Sequence, residues 1–204
     1  MKIETFFTSF LAYTNLDNID NEKLIAYSYQ LKNSTKAATN SNVGAWQSQS
    51  LTLVNEEVAK LATTIRYHVE KVAEFWKFKD EKTYISIDNL WININPKSGF
   101  NRPHVHPGAT FSGVYYIKCK TNGSGIVFQH PATNFQYHIN PDTIIDYNEF
   151  VSSTARYVPN ISDLYIFPAF LVHYVEPNLY DEDRISIAFN ASINLKEDNE
   201  STKD

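Results

Sequence analysis

The chain has 204 residues, 43% of them apolar, which is enough to bury one full core and does not force a second domain. A net charge of −5 with no run of Lys or Arg argues against a nucleic-acid surface, because phosphate binding needs a concentrated basic face. The lone Cys119 excludes an internal disulfide and fits a reducing, cytoplasmic setting.

In chain order, Thr5 to Tyr13 is apolar enough to resemble a short signal core. Glu4 precedes it and no small-x-small cleavage pattern follows, so it reads as ordinary structure. No apolar run approaches the roughly 20 residues that a membrane-spanning helix requires, and a soluble protein is expected. Asp20 or Asn21 caps a helix running to Lys32, with Leu24, Tyr27 and Leu31 at helical spacing. Asn33 to Gly44 is polar and loop-like. A better helix begins after Asn55, with Glu56 and Glu57 at the positive end of its dipole. Val58, Leu61, Ile65, Val69, Val72 and Trp76 form one stripe along it, and that stripe must cover something.

From Thr83 onward the pattern changes to short β-type runs: 83–95, 111–119, 125–130, 135–139, 155–158, 163–167, 171–176 and 184–193. Turn signals such as Asn95-Pro96, Pro107-Gly108, Asn122-Gly123, Asn140-Pro141 and Pro177-Asn178 separate them. With 13 Phe and 13 Tyr against six Gly, this is the rhythm of an aromatic-rich sandwich or jelly roll. The expected fold class is mainly β with N-terminal helices packed on one sheet. The expected organisation is a single domain: a helical cover over 1–80, a β core over 81–194, and a frayed, charged tail over 195–204.

Two strands declare their faces. In Leu90 to Asn95, Ile92 and Ile94 oppose Trp91, Asn93 and Asn95. In Arg184 to Asn190, Ile185, Ile187 and Phe189 oppose Arg184, Ser186, Ala188 and Asn190. A sheet with an apolar back under the helices and a polar front lining a cavity satisfies both strands. Trp91, Asn93, Asn95 and Asn190 are therefore candidate cavity-lining residues.

The chemistry-bearing residues are far apart in sequence. Pro103-His104-Val105-His106-Pro107 holds two imidazoles at i and i+2, which share one side of an extended segment and can converge on one metal ion, and the flanking prolines stiffen the backbone. His173 follows the apolar run Leu164 to Val172, which carries it inside, and a buried imidazole needs a partner. Arg184 projects from an otherwise buried strand, where a guanidinium wants a carboxylate, and Ser186 shares its face. His68 reads as a boundary residue of the second helix, His130 as a loop residue, and His138 carries no signal.

The runs HVHPGATFSGVYYI, FPAFLVHYVEP and RISIAFN, together with Ala45-Trp46-Gln47-Ser48, resemble a 2-oxoglutarate-Fe(II) oxygenase family found in bacteria and phages. That family lies within the Fe(II)/2-oxoglutarate-dependent dioxygenases, and the likeness spans residues 43 to 193. The resemblance implies a double-stranded β-helix holding Fe(II), with 2-oxoglutarate as co-substrate and O2 as oxidant. His104 and His173 would be metal ligands. Arg184 and Ser186 would bind the distal carboxylate of 2-oxoglutarate, and Tyr116 would donate to it from a neighbouring strand, with Tyr115 its direct competitor. His106 departs from the pattern, because most of the superfamily has Asp or Glu there. Either the site is His104, His106 and His173, or a carboxylate from elsewhere completes it. The implied activity is hydroxylation of an unidentified small molecule or peptide with release of succinate and CO2. Two alternatives stand beside it. One is a three-His cupin-type metalloenzyme without 2-oxoglutarate, disfavoured because no Glu follows the His-x-His. The other is a non-catalytic jelly-roll binding module.

Overall fold

The computed structural model describes residues 1–5, 7–78, 81–132 and 135–196. Its core is eight strands: β4 (Thr83–Asn95), β5 (Phe100–His104), β6 (Phe111–Lys118), β7 (Ile126–Gln129), β8 (Thr154–Tyr157), β9 (Asp163–Pro168), β10 (His173–Val175) and β11 (Arg184–Leu195). β4, β6, β9 and β11 belong to one antiparallel sheet, and β5, β7, β8 and β10 to the other. The chain therefore winds between two facing sheets, as in the jelly-roll arrangement expected from the sequence: a double-stranded β-helix.

Three further strands precede this core. β1 (Ala12–Asn15) pairs with β9 and β3 (Trp46–Gln47) with β4, completing a six-stranded sheet, while β2 (Asn42–Val43) joins β5 in a five-stranded one. These strands correct the expectation that residues 1–80 are a purely helical cover, and β2 lies inside the segment read as loop. Each is too short to show periodicity, and each is defined by the edge it joins. β5 was also absent from the expected strands. Run 135–139, expected as a strand, holds instead a 3-10 helix over Phe135–His138, and Asn140 starts a second such turn by accepting from the Asp142 N–H at 3.1 Å. The expected tail begins later than Leu195, which ends β11, and the Lys196 N–H donates to the Lys82 carbonyl at 2.8 Å. The rest of that expected tail, 197–204, lies outside the described residues.

The two helices form as the caps and stripe dictate. α1 (Asn21–Ser34) is capped by Asp20, which accepts from the Lys23 N–H, and α2 (Glu56–Phe75) by Asn55, which accepts from the Glu57 and Val58 N–H groups. The Glu57 carboxylate in turn accepts from the Asp20 N–H at 2.8 Å, tying the two N-termini together. α2 lays Val58, Leu61, Ile65, Val69 and Val72 on the back of the six-stranded sheet, where they meet Ile92, Ile94, Ile185, Ile187 and Phe189 in one buried cluster. Trp76 adds edge-on contact to Phe10 at 5.2 Å. The other face of that sheet looks toward the five-stranded one, and a smaller apolar cluster including Phe128, Tyr165, Phe167 and Leu171 fills one side of the space between them.

The β4–β11 pairing fixes which side chains face that space. Arg184 stands opposite Asn95, Ser186 opposite Asn93, Ala188 opposite Trp91 and Asn190 opposite Asn89. The register then slips, so that Ala191 pairs with Ile87 and Asp88 is left as a bulge. Below the bulge the odd-numbered residues of β4 switch to the apolar back, where Ile85 and Ile87 pack, so Asn89 is the last odd-numbered residue on the polar face, which Ser86 opposite Ser192 continues.

Close packing between sheet neighbours makes one glycine obligatory. A Cβ on Gly113 of β6 would sit 2.3 Å from Phe189 Cζ and 2.4 Å from the Tyr165 carbonyl oxygen, which belongs to the neighbouring strand's backbone. Gly113→Ala should therefore destabilise the fold by about 1–3 kcal/mol, the cost of overpacking a filled core. Thermal or urea unfolding measures this, and an unchanged midpoint would show that β6 and β9 can separate freely.

Candidate active site

The open space between the sheets is a cavity of about 540 Å³. Three histidines project into it. His104 ends β5 and His173 begins β10, and the two stand directly opposite in the antiparallel register. The strand stops at His104, so His106 lies in the following loop and not within the strand, as the His-x-His spacing alone suggested. Its backbone N–H is held by the Ala169 carbonyl at 3.1 Å. One ligand nitrogen from each ring lies within 4.8 Å of the other two, and His106 Nε2 and His173 Nε2 are 3.4 Å apart.

The backbone sets the ring orientations. His104 Nδ1 lies 2.6 Å from the Arg102 carbonyl and His173 Nδ1 lies 2.9 Å from the Leu171 carbonyl. A carbonyl accepts only, so Nδ1 carries the proton in each and Nε2 presents its lone pair to the cluster. Electrostatics works the same way. Burial lowers the His104 pKa, burial with the neighbouring His104 takes His106 to about 4, and burial followed by His104 takes His173 to about 3. All three rings are neutral at physiological pH, which is the form that binds a metal. Among the described residues no Asp or Glu lines the cavity or joins the cluster.

Deeper in the same cavity lies Arg184, only 5% exposed. Its Nη1 makes long contacts of 3.4 Å to the Ser124 and Glu176 carbonyls, and its Nη2 is buried with no partner. Tyr116, opposite Ser186 on the neighbouring strand, also has a buried hydroxyl without a partner. Burial dominates in raising the Tyr116 phenol, so it is a donor and not an anion. Two such donors left unsatisfied cost about 1–3 kcal/mol each, and guanidinium beside phenol matches the fork and single bond that a carboxylate accepts. The residues present therefore fit an oxoacid ligand beside three imidazoles that could hold a metal ion. Iron(II) accepts neutral imidazole readily.

Every residue singled out from the sequence lies around this cavity: His104, His106, His173, Arg184, Ser186, Tyr116, Trp91, Asn93, Asn95 and Asn190. The competition between the two tyrosines is decided by geometry, because the Tyr115 hydroxyl points to the helices and donates to Asn21 Oδ1 at 2.9 Å. His130 stays in its loop, where its Nδ1 accepts from the Ala132 N–H at 3.1 Å, and His68 borders a separate apolar hollow beside α2. Sequence reasoning missed Asn89, Asn101, Ser112 and the cavity role of Gln47. Ser112 and Asn89 carried a usable signal, since each stands two residues before a cavity-facing position on its strand.

Comparison with known proteins follows the same lines. No curated protein matches the chain. Among solved structures, a Pseudomonas putida prolyl-4-hydroxylase superposes with a TM-score of 0.63 at 12% identity, covering 91% of this chain and 94% of that one. The non-heme alpha-ketoglutarate-dependent epimerase SnoN from nogalamycin biosynthesis gives 0.66 at 14% identity, covering 92% and 81%. HygX from Streptomyces hygroscopicus, solved with nickel and 2-oxoglutarate bound, gives 0.58 at 9% identity, covering 91% and 83%. At these identities the likeness establishes a common fold. The family model described as "Putative 2OG-Fe(II) oxygenase" matches residues 89–190. That span is half of the chain and contains all three clustered histidines, Tyr116 and Arg184, and the chain accordingly belongs to this family of oxygenases, enzymes that work with iron(II) and 2-oxoglutarate.

Proposed function

We propose that this chain, acting as one catalytic unit in the cytoplasm, hydroxylates a small molecule or peptide. In this reading His104, His106 and His173 hold Fe(II), while Arg184, Ser186 and Tyr116 hold the distal carboxylate of 2-oxoglutarate. The observation that carries it is the pair of buried, unpartnered donors on Arg184 and Tyr116 in the same cavity as three neutral imidazoles. Iron and 2-oxoglutarate, when bound, would supply the oxidising chemistry: 2-oxoglutarate would lose CO2 and take one oxygen atom of O2 to become succinate, and the other oxygen atom would be inserted into a substrate C–H bond to give the alcohol. The protein's own part is positional. Arg184 and Tyr116 anchor one end of the oxoacid so that its other end meets the histidines. The Nδ1 bonds of His104 and His173 hold their rings in one tautomer, and the apolar wall of Phe167 and Val114 keeps water from crowding the reacting centre. The prolyl hydroxylase and the epimerase among the structural neighbours span peptide and small-molecule chemistry.

Anaerobic addition of Fe(II) and 2-oxoglutarate should produce a weak visible charge-transfer band, and calorimetry should report 2-oxoglutarate binding only when metal is present. Arg184→Ala should weaken 2-oxoglutarate by about 2–5 kcal/mol, the range for truncating a buried charged pair, while leaving metal affinity nearly intact. Arg184→Lys should recover part of the loss, because an ammonium lacks the planar fork. Neither band nor heat with the wild type would sink the reading.

The third ligand has its own test. His106→Ala should lower iron affinity by more than the ~10- to 100-fold typical of losing an outer-shell partner, as His104→Ala and His173→Ala should. His106→Asp should still bind, having the carboxylate common elsewhere in the superfamily. Full iron binding by His106→Ala would remove His106 from the centre.

The depressed imidazole pKa values also predict a stability profile. The unfolded chain takes up protons on these histidines below about 6.5, whereas folded His106 and His173 resist until about 4 and about 3. Their contribution is therefore fully present above the unfolded value and is lost as pH falls through that window. Chelator-stripped protein should show a urea midpoint that declines between pH 6.5 and 4, and His173→Phe should flatten the decline.

A further inference from the structure

The cavity has two ends. Arg184 with Asn95 and Ser186 with Asn93 make the inner rungs, Ala188 with Trp91 comes next, and the Trp91 ring lies 5.7 Å from that of His106. One rung further out, away from Arg184, stand Asn190 and Asn89, with Ser112 of β6 beside Asn190 in register. The histidine cluster is thus flanked by the buried cation on one side and by a pair of cross-strand carboxamides on the other. Nothing in the oxygenase reading uses that outer rung.

Its polar atoms are specifically arranged. The Ser112 hydroxyl lies 2.9 Å from Asn190 Oδ1 and 3.1 Å from the Phe189 carbonyl, and its single proton, given to the nearer oxygen, pins that carboxamide and leaves its NH2 group to donate. Asn89 Oδ1 is buried without a partner, an acceptor with nothing to accept. The bulge at Asp88 places Asn89 there, since beyond it Ile87 turns to the apolar back. The Asp88 carboxylate is engaged one rung further along the same face, accepting from Ser86 and Ser192 at 2.6 and 2.5 Å. An acceptor beside a donor is the complement of one residue of an extended peptide, whose own N–H and C=O, from the two flanking trans amides, point to the same side. The absence of any Asp or Glu from the described lining leaves a cationic group without a counter-charge.

Resting on the oxygenase reading, we propose that Asn89 and Asn190 form the recognition site for the primary substrate, and that the groups they take are neutral amides. Asn89 Oδ1 accepts the N–H of one residue of an extended peptide and the Asn190 NH2 donates to the carbonyl of the same residue, so that each flanking amide supplies one group. The C–H bond to be oxidised then lies on the neighbouring carbon, over the rung that faces the histidines. Ser112 is a positioning residue that acts through Asn190.

The test uses full-length protein loaded with Zn(II), as a diamagnetic and unreactive metal, and 2-oxoglutarate. Saturation-transfer NMR reads binding of four probes: N-acetylglycine N-methylamide, its fully N-methylated counterpart without N–H donors, the lysine analogue of the first, and glycerol. The secondary amide should bind at least about tenfold more tightly than its N-methylated counterpart, because a site built around hydrogen bonds rejects analogues that cannot form them. Asn89→Leu should abolish that preference and leave 2-oxoglutarate affinity unchanged. Asn190→Ser serves as a second, smaller change should Asn89→Leu fold poorly. Equal binding of the two amides, stronger binding of the lysine or glycerol probe, no amide signal, or a preference that survives both substitutions would each overturn the proposal. Calorimetry of 2-oxoglutarate on the same samples separates the two levels: its failure to bind would bring down the oxygenase reading, whereas normal binding without amide preference would bring down this inference alone.

Discussion

The long antiparallel pairing of β4 with β11 is the constraint on which the rest of the molecule depends. It sorts two strands' worth of side chains into an apolar back that α2 covers and a polar front that nothing but the second sheet faces. A slip of one residue would exchange the two sets, placing Arg184, Ser186, Asn93 and Asn95 under the helix and the isoleucines in the cavity. Such a slip is opposed by the whole buried cluster at once, so the register that makes the core also makes the site. The back face supplies the free energy that holds a guanidinium and several carboxamides in a poorly solvated space, where isolated polar groups would otherwise resist burial.

The proposed three-histidine site would differ from the commoner iron arrangement in its charge. A two-His-one-carboxylate set leaves a ferrous ion with one net positive charge, while three neutral imidazoles leave two. With Arg184 and Arg102 in the described lining and no acid there, such a site would be electropositive. A dianionic oxoacid would suit that field, offsetting two of the positive charges.

Much of this was legible in the sequence, for reasons that particular residues make plain. The stripe on α2, the alternation in β4 and β11, and the placement of His173 after an apolar run are all strong periodic signals carrying one burial pattern each. Tyr116 against Tyr115 was not separable, because β6 is buried on both faces through Ile117 and its alternation is erased. The edge strands β1, β2 and β3 were invisible because two to four residues contain no period. Phe135–His138 carries strand-like aromatic content but winds into a 3-10 turn ahead of the Asn140-Pro141 stop. His106 lies beside His104 even though the strand ends between them, since convergence needs only an extended backbone and the Ala169 carbonyl supplies the anchor.

The bonds that His104 and His173 make through Nδ1 have a consequence for how such a protein can change. Each ring is oriented by a main-chain carbonyl two positions earlier in its own segment, at Arg102 and Leu171, and not by the side chain of another residue. A backbone oxygen is present whatever amino acid occupies its position. The aim of these two imidazoles is therefore insulated from substitution, and the surrounding wall is free to vary residue by residue without misdirecting them. A lineage built on this framework can exchange one substrate for another by altering cavity side chains while its oxidative core stays in working order throughout.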